Sequence, residues 1–195
     1  MIISASIQAA NQLILLEEIN KNKNKFNQIH IDITDGHFTN NISMSFNHIN
    51  LIKKNTDFKV DVHLMLENNE KFVPLAFDNG ADLVCVHQET TSINTFKNLK
   101  QNFPNLGIAT LPGTKNENLK EYLDYTSAVL LLGVTPGYSN QKQSIDLLIK
   151  GKNFKNLFDN YSGLLILDGG ITNNHKKESE KLGVDILVQG GAIFG

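Results

Sequence analysis

The sequence predicts an α/β protein: a single (β/α)8 barrel domain spanning residues 1–195. Three observations carry this. Short apolar runs of strand length recur eight times along the chain. The seven intervals between them each hold a segment of helical pattern. No Pro/Gly-rich linker, low-complexity block or close internal repeat divides the sequence. Strand-then-helix alternation implies right-handed crossovers and a parallel sheet. Eight parallel strands close into a barrel.

Taken in order, the first strand is "IISAS", Ile2–Ser6, and the helical pattern Asn11–Lys21 follows it. The second is Gln28–Ile33, with a helix over Phe46–Lys54. The third is Lys59–Leu64, with a helix over Asn69–Asn79. Leu83–His87 precedes the helix Ser92–Asn102, and Leu106–Thr110 precedes Glu117–Leu123. Ala128–Gly133 precedes Gln143–Phe158, and Leu164–Leu167 precedes Asn174–Leu182. The eighth strand is Ile186–Val188, after which "QGGAIFG" is too little for a full helix. The barrel is therefore expected to have a short or missing eighth helix, leaving either a gap or a face covered by a second subunit of a homo-oligomer.

Within this frame the stretch "QIHIDITDGHF" is unusual. Alternate barrel residues point outward to the helices or inward. Ile29, Ile31 and Ile33 would face the helices, which leaves His30 and Asp32 inside, near the C-terminal mouth where barrel enzymes place their chemistry. "KVDVHLML" repeats the design, with Val60, Val62 and Leu64 outward and Asp61, His63 and Met65 inward. The seventh strand ends in "LDGG", bringing Asp168 to the same rim, and the first ends at Ser6.

Two imidazoles and two carboxylates converging at one point suit a divalent cation such as Zn2+, Fe2+, Co2+ or Mn2+. His-x-Asp on a strand returns both side chains to one face. A lone barrel histidine is more often a core residue; four such groups at strand ends favour a metal site, because buried carboxylates are costly unless paired or coordinated.

Glycine pairs follow the last two predicted strands: Gly169-Gly170 and Gly190-Gly191. Barrels commonly bind phosphate there, on backbone N–H groups. The alternative is two tight turns. All 18 basic side chains are lysine, so an anion would be held by lysine or by backbone.

Composition limits the partners. The chain is 41% hydrophobic and 19% charged, with net charge −2. This gives no electrostatic case for nucleic acid or an anionic membrane surface. No apolar run is long enough to span a bilayer, and the start lacks the basic and apolar regions of a signal peptide. The single Cys85 excludes an internal disulfide and suits the cytoplasm.

The segments "SASI", "IHIDITDGHF", "VDVHLM", "VHQET", "GVTPGYSNQ", "LDGGI" and "GGAIF" resemble, in order and spacing, the ribulose-phosphate 3-epimerase family. The resemblance spans essentially the whole chain. It implies that His30, Asp32, His63 and Asp168 hold the catalytic metal, that Ser6 contacts substrate and that Met65 flanks the metal. It further implies a phosphorylated ketose substrate, most directly the pair D-ribulose 5-phosphate and D-xylulose 5-phosphate. Asp32 and Asp168 are then expected to be the acid–base pair that removes a proton from one face of a carbon and returns one to the other.

The chain departs from the family pattern at the loop Gly137-Tyr138-Ser139-Asn140-Gln141, where the family reads close to GFGGQ. Thr34 and Leu132 stand where methionines are common, and Gly191 where serine is usual. These changes keep two other functions in view: epimerisation of a longer ketose such as allulose 6-phosphate, and non-catalytic sugar-phosphate binding. Asp35 and His37 either support the site or cap a turn. His87 and Glu89 either reach the mouth or make a structural hydrogen bond. Residues 133–144 form either a lid or a surface loop.

Overall fold

The computed structural model describes residues 1–195. Its strands are β1 (Ile2–Ser6), β2 (Gln28–Asp35), β3 (Ile42–Ser43), β4 (Val60–Met65), β5 (Leu83–His87), β6 (Leu106–Thr110), β7 (Ala128–Leu132), β8 (Leu164–Asp168) and β9 (Ile186–Gln189). All but β3 run parallel in the order β1-β9-β8-β7-β6-β5-β4-β2, and pairing of β1 with β2 closes the ring. This is the expected eight-stranded barrel. The short β3, unforeseen from sequence, adds antiparallel to the top of β2 through Thr34–Ser43 and Asp35–Ile42.

The outer helices are α1 (Leu15–Asn22), α2 (Phe46–Asn55), α3 (Asn69–Asp78), α4 (Ile93–Asn102), α5 (Leu147–Leu157), α6 (Lys176–Leu182) and α7 (Gly191–Phe194). Caps set two of their starts. Ser92 accepts a hydrogen bond from the Thr95 N–H, and Asp146 from the Ile149 N–H. Each such cap contributes about 1 kcal/mol. The Asp146 cap starts α5 four residues later than its apolar pattern suggests.

The helix expected over Glu117–Leu123 is instead a 3-10 turn, Asn116–Leu119, continued by further turns. Its buried anchors Leu119 and Tyr122 are three apart, matching N–H bonds from Tyr122 to Leu119 O and from Lys120 to Glu117 O. The Tyr122 hydroxyl then donates to Thr91 O at 2.8 Å. The four-residue α7 packs through Phe194 on Phe26, ring centroids 6.4 Å apart.

Strand alternation sorts side chains into two layers. Ile29, Ile31, Ile33, Val60, Val62 and Leu64 join Phe96 and Phe154 in the main core under the helices. Fully burying one such side chain contributes about 1.5–3 kcal/mol. Inside the barrel, Leu83, Cys85, Leu130, Ile166 and Val188 form a smaller apolar cluster. Cys85 is thus a core residue, and burial pushes its thiol pKa up. The polar inward residues of β1, β2, β4 and β8 occupy the rest.

Candidate active site

Register brings the site together. Across β2 and β4, His30 lies beside Asp61, Asp32 beside His63 and Thr34 beside Met65. Across β1 and β2, Ser6 lies beside His30. Asp168 ends β8 beside Leu132. One ligand atom from each of His30, Asp32, His63 and Asp168 falls within a group spanning no more than 4.8 Å. His30 Nε2 is 3.2 Å from Asp32 Oδ1 and 3.6 Å from Asp168 Oδ2. His63 Nδ1 is 3.3 Å from each of those oxygens. The four residues predicted to converge do so.

Their surroundings fit a cation. Burial opposes a charged ring, yet the carboxylates of Asp61 and Asp32 hold His30 well above its usual pKa. His63 is likewise raised against burial by Asp168 and Asp32. Burial also opposes ionised carboxyls, but the two rings pull Asp32 and Asp168 below the usual carboxylate range. Two carboxylates facing two basic rings favour either protons on the imidazoles or a metal ion in their place. His63 Nδ1 is buried 3.3 Å from both carboxylate oxygens yet meets neither in hydrogen-bond geometry, although most buried nitrogens are so bonded. Two imidazole nitrogens and two carboxylate oxygens make a donor set suited to a borderline divalent metal.

The rings are held from behind. His30 Nδ1 meets Asp61 Oδ2 at 2.5 Å, while Asp61 Oδ1 accepts from Ser4 Oγ at 2.5 Å and Gln28 Nε2 at 2.8 Å. This carboxylate was not singled out from sequence; its parity with His63 in "DVH" was the available signal. His63 Nε2 meets His87 Nε2 at 2.8 Å, and His87 Nδ1 meets Glu89 Oε2 at 2.9 Å. His87 therefore backs the cluster and does not reach the mouth. Burial, with His63 nearby, lowers its pKa to about 4 against the pull of Glu89. Asp35 caps a turn: its carboxylate accepts from the N–H groups of His37, Phe38 and Glu67. His37 is exposed beside it.

Above the cluster lies a cavity of about 270 Å3, lined among others by Ser6, Asp32, Met65, Leu132 and Asp168. That is near the lower end of the roughly 300–1,000 Å3 typical of small-molecule sites. Ser6 Oγ donates to Asp32 Oδ2 at 2.9 Å. Gly137, Gly169, Gly170, Gly190 and Gly191 all line the same cavity. Gly169 and Gly170 have φ of +101° and +64°, a conformation that side chains disfavour.

Residues 136–141 lie over this cavity and are tied to the β2–β3 connection. Thr39 Oγ1 donates to Pro136 O at 3.1 Å, Asn41 Nδ2 to Gly137 O at 2.5 Å and the Tyr138 hydroxyl to Asn40 O at 3.1 Å. Two departures from the family pattern prove complementary. A Cβ at Gly191 would run into Asn140 Oδ1, so the glycine makes room for the asparagine.

Fold and site together define a (β/α)8-barrel enzyme with a two-histidine, two-carboxylate centre at the C-terminal mouth. Residues 2–194 match the model described as the ribulose-phosphate 3 epimerase family, and the chain belongs to that family. It is accordingly an isomerase acting on carbohydrates. It is 36% identical over 172 residues to a ribulose-phosphate 3-epimerase of Aquifex aeolicus, covering 86% of this chain and 77% of that protein. Identity is 31% over 198 residues to the Helicobacter pylori J99 protein of that name, covering 100% and 91%. Among solved structures, a 3-hexulose-6-phosphate synthase superposes with TM-score 0.66 at 20% identity, covering 100% of this chain and 92% of that one. KGPDC from Streptococcus mutans gives 0.70 at 13%, covering 97% and 87%. At these identities the two structures support the barrel alone. No helix is long and apolar enough to cross a membrane.

Proposed function

We propose that this protein interconverts D-ribulose 5-phosphate and D-xylulose 5-phosphate in the cytoplasm, with one divalent ion (Zn2+, Fe2+, Co2+ or Mn2+) held by His30, Asp32, His63 and Asp168. The observation that carries the reading is the placement of Asp32 and Asp168. They reach one centre from β2 and β8, strands separated by β9 and β1. Inversion at a carbon beside a carbonyl needs a base on one face and an acid on the other. Asp32 takes the C3 proton, Asp168 donates one to the opposite face, and the roles exchange in the reverse direction. A bound cation supplies Lewis acidity that draws electron density from the sugar oxygens.

The remaining residues bind and shield. Ser6 orients Asp32 through its hydroxyl. Met65 and Leu132 offer apolar surface to the planar enediolate. Gly169, Gly170, Gly190 and Gly191 let backbone N–H groups approach the phosphate. The segment around Gly137 closes over the sugar and excludes water.

The test offers both pentulose phosphates, and allulose 6-phosphate in parallel, to metal-loaded protein in heavy water. Deuterium at C3 with faster turnover of the pentuloses is the expected result. Preference for the hexulose would reassign the substrate. No exchange on any of them, in protein shown to bind metal, would leave a sugar-phosphate binder.

A further inference from the structure

We propose that His87 and Glu89 are positioning residues that place the proton of His63 on Nε2 and so keep Nδ1 as a free electron pair facing the four-residue centre. This rests on the metal reading of that centre. Across the 2.8 Å between His63 Nε2 and His87 Nε2 only one ring donates, since two N–H groups would face each other. Which ring it is decides the chemistry. If His63 donates, its Nδ1 is bare and can ligate. If His87 donates, a neutral His63 carries its proton on Nδ1 and cannot.

Glu89 settles the choice from two bonds away. Its Oε2 lies 2.9 Å from His87 Nδ1, and a carboxylate only accepts. His87 therefore carries its proton on Nδ1, presents a bare Nε2, and requires His63 to donate. The other carboxylate oxygen accepts from the Leu111 N–H at 2.9 Å and from the Thr114 hydroxyl. That loop is fixed in turn. Lys150 Nζ donates to the carbonyls of Leu111, Pro112 and Thr114 at 2.8, 3.1 and 3.0 Å. The Leu111 N–H therefore keeps its direction. His63 Nδ1, buried 3.3 Å from one oxygen each of Asp32 and Asp168 but in hydrogen-bond geometry with neither, is then a lone pair facing the centre.

The relay makes Glu89→Gln informative because the substitution changes little in shape. A glutamine has one acceptor oxygen, and the Leu111 N–H claims it. The amide NH2 then faces His87 Nδ1 as a donor, which drives a proton onto His87 Nε2 and reverses the His63 tautomer. Partners of this kind behind a ligating histidine typically govern metal affinity about 10–100-fold.

The experiment titrates Co2+ into metal-free parent, Glu89→Gln and His63→Ala proteins. It reads visible absorption and chelator competition, with thermal unfolding of each metal-free protein alongside. The expected result is that Glu89→Gln binds Co2+ about 10–100-fold more weakly than the parent, with the metal-free variant still unfolding cooperatively and fully folded at the titration temperature. Equal affinity in Glu89→Gln and parent, where His63→Ala loses binding, would overturn the relay alone. A weaker affinity matched by loss of the metal-free fold would also overturn it, assigning Glu89 a structural role. Failure of the parent to bind Co2+ would remove the metal reading and the proposal with it.

Discussion

Asp32 and Asp168 each place a carboxylate oxygen 3.3 Å from the same atom, Nδ1 of His63. They arrive on strands with β9 and β1 between them. The proposed mechanism requires a planar intermediate to sit between these two carboxyls. The shared nitrogen is also one of seven buried side-chain polar atoms that make no hydrogen bond of good geometry.

Replacing either acid separately tests that arrangement. Asp32→Asn and Asp168→Asn should each lower epimerase turnover by at least about 10²–10⁴-fold, the usual range for a positioned proton-transfer group. Far-UV circular dichroism should still report the barrel. Parental turnover in either variant would refute a two-carboxyl mechanism.

Asp61 stands behind His30 as the only carboxylate on its Nδ1. Asp61→Asn introduces an amide that can donate toward this nitrogen, shifting the ring proton to Nε2, the atom facing Asp32 and Asp168. Metal affinity, read by chelator competition, should fall about 10–100-fold. The variant should also unfold at lower denaturant, because Ser4 and Gln28 share the same carboxylate.

Gly137 has φ +103°, and a Cβ there would meet the Thr39 side chain. Left-handed backbone at a non-glycine residue costs about 1–3 kcal/mol. Gly137→Ala should therefore open the segment over the cavity. Steady-state kinetics should show KM for the ketose phosphate raised about tenfold or more, with metal affinity unchanged.

Lys150 carries no part of the reacting centre but satisfies three carbonyls at the top of β6. Burial lowers its pKa to about 8. Lys150→Met leaves the Pro112 and Thr114 carbonyls without their donor, while Leu111 O keeps the Thr114 N–H at 3.1 Å; the cost is about 1–3 kcal/mol for each orphaned carbonyl that water does not reach. Urea unfolding should show a loss of that order.

Glu89 should make stability acid-sensitive. Burial opposes its ionisation, but the His87 ring pulls its pKa down from 4.5 to about 2. A carboxyl depressed on folding stabilises fully above its unfolded value and loses that contribution as pH falls through the folded one. The stability difference between parent and Glu89→Gln, from urea unfolding, should be constant above about pH 5 and shrink between 4.5 and 2.

What could be read directly was local. The two-residue period of β2 and β4 assigned Ile29, Ile31, Val60 and Val62 outward and His30, Asp32 and His63 inward, because alternation is a property of any single strand. The pattern over Glu117–Leu123 fits a helix and a 3-10 turn equally, because a three-residue spacing of apolar anchors is common to both. The brief β3 left no apolar pattern long enough to register.

The chain alone thus determined the barrel, its inward faces and the four residues that meet at the mouth, since each follows from periodicity within a short segment. Only the tertiary structure decided what stands behind them. Asp61 serves His30 because β4 pairs with β2 in one register, and His87 serves His63 because β5 follows β4 around the ring. Gly191 admits Asn140 because barrel closure brings the segment after β7 against the start of α7. Such relations depend on contacts between distant parts of the chain, whose depth and direction are set by packing and by no local pattern.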